Sequence, residues 1–311
     1  MNSKDVRIIL VNRRTRLEEL IARHNTPEQA RFFVERLGGD FEDYVREDIT
    51  YKSVLDHAEM DLKRLGRVQR LERGFLPNYI FGPDDLVVII GQDGLVANTM
   101  KYLNGQPVIA INPDPVRYEG VLLPFVPQDL IPILRESLVR QRPMMSITMA
   151  EARLNDGQSL LAVNDFFIGP RRHTTAAYAL IHGDRREFQM SSGVIVSTGL
   201  GSTGWIRSIV LGAARIAEAA GTAFSQESLF SDMGWDSRQL LFAVREPYPV
   251  AASETKLVLG RVTDKAPLAL ESAMAEEGVI FSDGMLDDAI PFNAGARVEI
   301  TNAARQGHLV V

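Results

Sequence analysis

The chain has 311 residues, more than one compact core of ordinary size holds, so two domains are expected. Apolar residues make up 45% and charged residues 24%, with a net charge of −6. This is the composition of a soluble globular chain, and it argues against nonspecific binding to nucleic acid or to an anionic membrane. The absence of cysteine excludes disulfides, thiolate metal sites and thiol catalysis, and fits a reducing cytoplasm.

In chain order, "VRIILV" (6–11) reads as a first strand. The first twenty residues carry Asp5, Glu18 and Glu19 and no long apolar core, so a secretory leader is not expected. No stretch approaches the roughly 20 apolar residues that span a bilayer. "TRLEELIARHN" and "TPEQARFFVERLG" read as helices, the second with Thr26 as N-cap, Pro27 at the first position and Gln29 at the third. Residues 50–65 place Tyr51, Val54, Leu55, Ala58 and Leu62 on one helical face. "RVQRLER" is a short strand and "GFLPNYIFGPDD" a loop punctuated by proline and glycine. "LVVII" (86–90), a glycine turn, "VANTMKYLNG" as a helix and "PVIAIN" follow. Strands this uniformly apolar belong to a parallel sheet covered on both faces, a Rossmann-like α/β domain. After the loop "PDPVRYEGVLLPF", the helix "VPQDLIPILRESLVRQ" closes this domain, 1–142.

Across 143–311 the pattern changes to short alternating segments with the hairpin signals "NDGQ" and "HGDR". This predicts a β-sandwich-like, sheet-rich second domain interrupted by one helix at 205–221.

Four constellations bear on chemistry. Gly91-Gln92-Asp93-Gly94 follows the buried strand. Glycines at the carboxyl end of a parallel strand let backbone N–H groups approach a phosphate, and the next helix adds its positive N-terminus. A carboxylate in that place repels phosphate, so Asp93 is better suited to take a proton from an acceptor hydroxyl or to hold a metal. The competing reading is a tight turn in which Asp93 caps the helix. The pattern is neither a P-loop nor a dinucleotide fingerprint. "VSTGLGSTGW" (196–205) sets Gly199, Gly201 and Gly204 among Ser197, Thr198, Ser202 and Thr203, a set of donors suited to a polyphosphate; a Ser/Thr-capped loop without a ligand is the alternative. Asn164-Asp165 follows "LLAV" as a ribose or base contact or a strand-end cap. Asp283-Gly284 is most simply a turn. The five histidines lack zinc spacing. The basic runs Arg13–Arg16 and Arg171–His173 read as solvated faces, with phosphate binding as the alternative.

"GQDG", "ND", "STGLGSTGW" and "SDG", in this order, resemble the NAD kinase family, and "PVIAINPDPVRYEG", "NDFFIG" and "LLFAVREP" resemble its mitochondrial-type branch. The resemblance covers about residues 80–305. It implies transfer of a phosphoryl group from ATP, or polyphosphate, to the 2′-hydroxyl of the adenosine ribose of NAD, giving NADP. The same resemblance implies a site in a cleft between the domains and a homo-oligomer. Asp93 is then the general base, with Gly91, Gln92, Gly94, Thr198, Gly199, Gly201 and Ser202 around phosphates and nucleotide. Asn164, Asp165, Thr203, Trp205 and Ser208 contact NAD. Mg²⁺ arrives with ATP, and no protein metal ligand is identified. The chain departs from the family pattern at Gln92 (usually Gly), Leu95 (usually Thr), Asp165 (usually Glu) and Thr203-Gly204-Trp205. Two alternatives follow from these departures: a kinase of the same superfamily acting on a lipid or sugar hydroxyl, and a non-catalytic nucleotide-binding regulator.

Overall fold

The computed structural model describes residues 6–139, 142–222, 227–249 and 255–311. They divide into two compact units: the described residues up to Met145 together with His308–Val311, and Ser146–Gly307. The second unit therefore ends before the chain does, whereas the sequence expectation ran it from 143 to 311.

The first unit comprises β1 (Arg7–Asn12), α1 (Arg16–His24), α2 (Pro27–Arg36), α3 (Phe41–Lys63), β2 (Arg67–Glu72), β3 (Leu86–Ile90), α4 (Asp93–Met100), β4 (Pro107–Ile111) and α5 (Leu130–Leu138). Its strands run parallel in the order β2-β1-β3-β4. His308 and Leu309 extend the sheet in parallel beside Pro107 and Val108. One face, with Ile8, Leu10, Val88, Ile90 and Ile109, packs on Tyr51, Leu55 and Leu62 of α3 and on Ile133 and Leu134 of α5. Residues of the other face, Ile9, Val11, Val87 and Ile89, are equally buried. Burial on both faces is why these strands read as unbroken apolar runs.

Thr26 caps α2 as expected, accepting the Gln29 N–H at 3.2 Å, with Pro27 at the first position. α3 begins nine residues before the expected helix. Asp40 caps it at the Glu42 N–H, and its first turns carry charges that interrupt the apolar period. α4 also starts early, on Asp93 itself. α5 starts later than expected, at Leu130, and residues 140 and 141 of that expected helix lie outside the described residues.

The second unit holds most of β5 (Met144–Leu154), β6 (Ser159–Ala162), β7 (Asp165–Pro170), β8 (Ala176–His182), β9 (Arg185–Ser191), β10 (Val194–Ser197), α6 (Trp205–Ala219), β11 (Leu240–Val244), β12 (Leu259–Val262), β13 (Leu268–Ser272), β14 (Gly278–Ser282), β15 (Met285–Pro291) and most of β16 (Arg297–Val310). One layer is β6-β5-β16-β13-β8-β9, and the other is the antiparallel sheet β12-β11-β10-β7-β14-β15. Phe166, Ile168, Val196 and Phe242 of the second layer meet Tyr178, Leu180, Leu270 and Ile300 of the first in one core. Alternate residues Phe167, Ile195 and Leu241 point the other way and meet Ile206 of α6. That helix explains why β7, β10 and β11 are buried at every residue rather than alternating.

Candidate functional site

The strand order of the first unit reverses between β1 and β3, and open α/β sheets bind ligands outside the carboxyl ends of the strands at such a point. β3 ends there. The carbonyl of Ile90 accepts the Tyr51 hydroxyl at 2.8 Å, and that hydroxyl accepts the Arg13 N–H at 3.0 Å. Burial pushes the Tyr51 phenol up to about 12, so it acts as a neutral pin under the turn.

Each residue of the turn has its own reason. A Cβ on Gly91 would meet Leu95 Cδ2 at 2.7 Å, and Leu95 is only 3% exposed. Leu95 is thus a core residue that fills the space glycine leaves. Gln92 is the N-cap, without a side-chain capping bond. Its backbone is extended (φ −123°, ψ 164°), which any residue adopts, so the turn itself does not require glycine there. Asp93 opens α4. The Leu95 and Val96 N–H groups bond back to Gln92 O at 2.8 and 3.3 Å. Those of Asp93 and Gly94 belong to the unpaired first turn that a helix offers to an anion. Nothing lies within 4 Å of where a Gly94 Cβ would sit.

The Asp93 carboxylate is half-buried and held on one side. Its Oδ1 accepts the Leu122 N–H at 2.6 Å, and Oδ2 accepts no hydrogen bond among the described residues. One oxygen is anchored, and the other is open to a proton. The 112–122 loop that supplies this N–H is itself clamped. Arg117 donates to both oxygens of Asp43 at 2.6 and 2.9 Å. Arg117, then Arg16, hold the Asp43 carboxyl well below the usual range. Tyr118 donates to Glu47 at 3.3 Å, and Asn112 Nδ2 donates to the Tyr118 carbonyl at 2.9 Å. The sequence gives no sign of Leu122 in this role, because a backbone N–H can come from any residue.

In the second unit the Asn-Asp and Asp-Gly motifs form one object. The Asp283 carboxylate accepts the N–H groups of Val163 (3.0 Å), Asn164 (2.7 Å) and Asp165 (3.2 Å). In return the Asp283 N–H donates to the Asp165 carbonyl at 3.0 Å. Asp283 holds a left-handed backbone (φ 52°), so it is a turn residue as expected, but its side chain also sets the path of the Asn164-Asp165 segment. Asp165 is 9% exposed, and burial, then the neighbouring Asp283 charge, push its carboxyl up to about 7. At neutral pH it therefore offers both a donating and an accepting oxygen.

The Ser/Thr/Gly loop is tied to the same segment. The Thr198 hydroxyl is fully buried, donates to Val163 O at 2.6 Å and accepts the Gly201 N–H at 3.2 Å. Its N–H donates to Asn164 O at 2.9 Å. A Cβ on Gly199 would overlap the Gly234 carbonyl oxygen, and one on Gly201 the Asn164 carbonyl oxygen. Ser202 is buried, whereas Thr203, Gly204 and Ser208 are exposed. Ser208 Oγ donates back to the Gly204 carbonyl at 3.4 Å. Trp205 opens α6, stacks on Phe167 (centroids 5.8 Å apart, planes 7° from parallel) and lies 5.3 Å below the Arg245 guanidinium. Each unit thus gathers its own expected residues: Gly91 to Gly94 in the first, and Asn164, Asp165 and Thr198 to Trp205 in the second.

Among the described residues no group of three or more His, Asp or Glu is arranged to hold a metal ion. None of the described helices is long and apolar enough to cross a membrane.

No family model matches the sequence, and no curated protein matches it. Solved structures that are similar over nearly the whole chain include an NAD kinase and an NADH kinase. An NAD kinase from Archaeoglobus fulgidus, in complex with ATP, is 14% identical at a TM-score of 0.56, covering 98% of this chain and 94% of that one. Yeast NADH kinase complexed with NADH is 13% identical at a TM-score of 0.56, covering 99% of this chain and 84% of that one. At these identities the likeness is one of fold.

Proposed function

We propose that the chain is a phosphotransferase that moves a phosphoryl group from ATP, or polyphosphate, to the 2′-hydroxyl of the adenosine ribose of NAD, giving NADP. The observation that carries this is Asp93, at the switch point of the parallel sheet, with one carboxylate oxygen anchored and the other open. The fold shared with an NAD kinase and an NADH kinase supports it.

In this reading Asp93 Oδ2 takes the proton as the ribose O–H bond breaks. The ribose oxygen bonds to the terminal phosphorus, and the bond from that phosphorus to the bridging oxygen breaks, releasing ADP. The Leu122 N–H keeps the carboxylate in one orientation, so the proton-accepting oxygen does not have to be found by rotation. The N–H groups of Asp93 and Gly94 face phosphate charge at the start of α4. In the second unit, Asn164, Asp165, Thr203, Trp205 and Ser208 are the contacts proposed for NAD. Asp165, titrating near neutrality, can both donate to and accept from a ribose hydroxyl. Among the described residues no acidic cluster is arranged to hold a metal, so Mg²⁺ is proposed to arrive on the ATP phosphates, where it would supply charge neutralisation.

The test is purified protein with ATP, Mg²⁺ and NAD, with NADP read by a coupled NADP-dependent dehydrogenase. NADP formation is expected. Its absence with ATP and with polyphosphate overturns the proposal.

A further inference from the structure

The basic run Arg13–Arg16 follows β1, beside the point where the strand order reverses. Its sequence suggests a solvated face or a phosphate site, and Arg13 is neither. The Arg13 side chain is 10% exposed, and that of Glu47, on α3, is 2% exposed. Arg13 Nη2 donates to Glu47 Oε1 at 2.6 Å and to the Tyr118 hydroxyl at 3.2 Å, and Nη1 donates to the Arg14 carbonyl at 2.7 Å. Glu47 is equally occupied: Oε1 accepts Arg13 and Tyr118, and Oε2 accepts the Arg16 N–H at 3.2 Å. The charge of Arg13 is thus met inside the protein.

Stability does not account for this pair. Taking both charges out of water costs about as much as their attraction returns, and packed apolar side chains of similar volume often serve as well or better. Arg13 Nε adds to the cost, because it is buried with no hydrogen-bond partner among the described residues. What apolar side chains lack is direction, and the bonds of this pair lead to both parts that hold Asp93. On one side is Tyr51, whose ring centre lies 4.9 Å from the Arg13 guanidinium. Its hydroxyl accepts the Arg13 N–H and donates to the carbonyl of Ile90, the last residue of β3. On the other side is Tyr118, whose hydroxyl bonds to both Arg13 and Glu47. Its carbonyl accepts Asn112 Nδ2, and four residues further on the Leu122 N–H holds Asp93 Oδ1.

We propose that Arg13 and Glu47 are positioning residues: their ion pair ties the end of β3 and the 112–122 loop to one buried point. The first leads into Asp93 and the second supplies its anchor, so the pair fixes the direction of the carboxylate without bonding to it. The effect on rate rests on Asp93 being the proton acceptor of the proposed reaction. The effect on the loop does not.

The test replaces the pair by packed apolar side chains, Arg13→Met/Glu47→Leu, and separately removes one link, Tyr118→Phe. The double variant is expected to unfold in urea at a midpoint near the parent's, yet to exchange the Leu122 amide about ten-fold or more faster. With NAD and Mg²⁺–ATP its kcat is expected to fall about ten-fold while both KM values stay within about two-fold, because the pair orients Asp93 and does not bind substrate. Tyr118→Phe is expected to move exchange and kcat in the same direction by smaller factors. Parental exchange at Leu122 or a parental kcat in the folded double variant overturns the proposal. So does exchange that rises equally at amides across the first unit, which marks a merely structural role. If the double variant does not fold, Tyr118→Phe decides by the same readouts. If the parent makes no NADP, exchange at Leu122 decides alone: a rise confined to the loop upholds the positioning role while the transfer reaction falls, and parental exchange overturns it.

Discussion

The two glycine turns of this chain look alike in sequence and differ in construction. The 91–94 turn is open. Space surrounds Gly94, and Asp93 is held by a single backbone N–H. The 198–204 turn is closed. Gly199 and Gly201 press against carbonyl oxygens, and the Thr198 hydroxyl is spent on Val163 and Gly201. The lesson is that glycine and hydroxyl content does not say which groups face a ligand. In the first turn glycine leaves room for something to approach. In the second it lets two parts of the protein approach each other, and the groups left to a ligand are the exposed ones, Thr203 and Gly204.

Substitutions at matched positions break or sharpen this contrast. Gly201→Ala forces a Cβ into the Asn164 carbonyl oxygen and is expected to cost about 3 kcal/mol or more, read from urea midpoints. Gly94→Ala is expected to change stability by less than about 0.5 kcal/mol, while raising the KM for ATP about ten-fold, because the added methyl would stand where the proposed reaction brings a phosphate. If the two variants lose similar stability, the contrast fails.

Asp283→Ala comes next. It leaves the N–H groups of Val163, Asn164 and Asp165 without their acceptor, at an expected cost of about 2–3 kcal/mol. Denaturant unfolding measures it.

Asp165 gives a pH signature. Its folded carboxyl titrates at about 7, above its unfolded value, so the native state holds the extra proton between about pH 4 and 7. Stability is therefore expected to fall as pH rises through that window and to level off above it. Asp165→Asn is expected to remove the fall and to be more stable than the parent at pH 8. The net gain is about 1–2 kcal/mol, because a buried amide carries its own desolvation cost. A parent protein whose stability rises across that window contradicts the assignment.

The smallest effect is expected at Arg117→Lys. It keeps the charge but loses the two-point grip on Asp43, for about 0.5–1 kcal/mol in thermal unfolding. Slower hydrogen exchange at the Leu122 amide in the parent than in this variant locates the effect at the loop that holds Asp93.

Much of the fold was legible because local chemistry and burial agree. "LVVII" and "PVIAIN" are uniformly apolar because both faces of the sheet are covered, and Thr26-Pro27 starts α2 by capping geometry that the sequence spells out. The start of α3 was not legible, since its first turns are polar and their charges find partners, such as Arg117 for Asp43, far along the chain. The site divides in the same way. Asp93 stands out as a charge where an apolar strand ends. Leu122 and the Asp283 grip on Asn164 are long-range and run through backbone N–H groups, which carry no residue signature. Leu95 was misleading for a related reason: its position beside the turn is visible in the sequence, but its inward direction is set by the missing Cβ of Gly91.

The most direct test of the account is the rate of NADP formation from NAD and Mg²⁺–ATP by the parent and by Asp93→Asn, with both substrates saturating. The account predicts measurable turnover by the parent and a loss of about 10²–10⁴-fold in kcat for the variant, with thermal stability little changed. Equal rates for the two proteins, or a parent that makes no NADP, would contradict it.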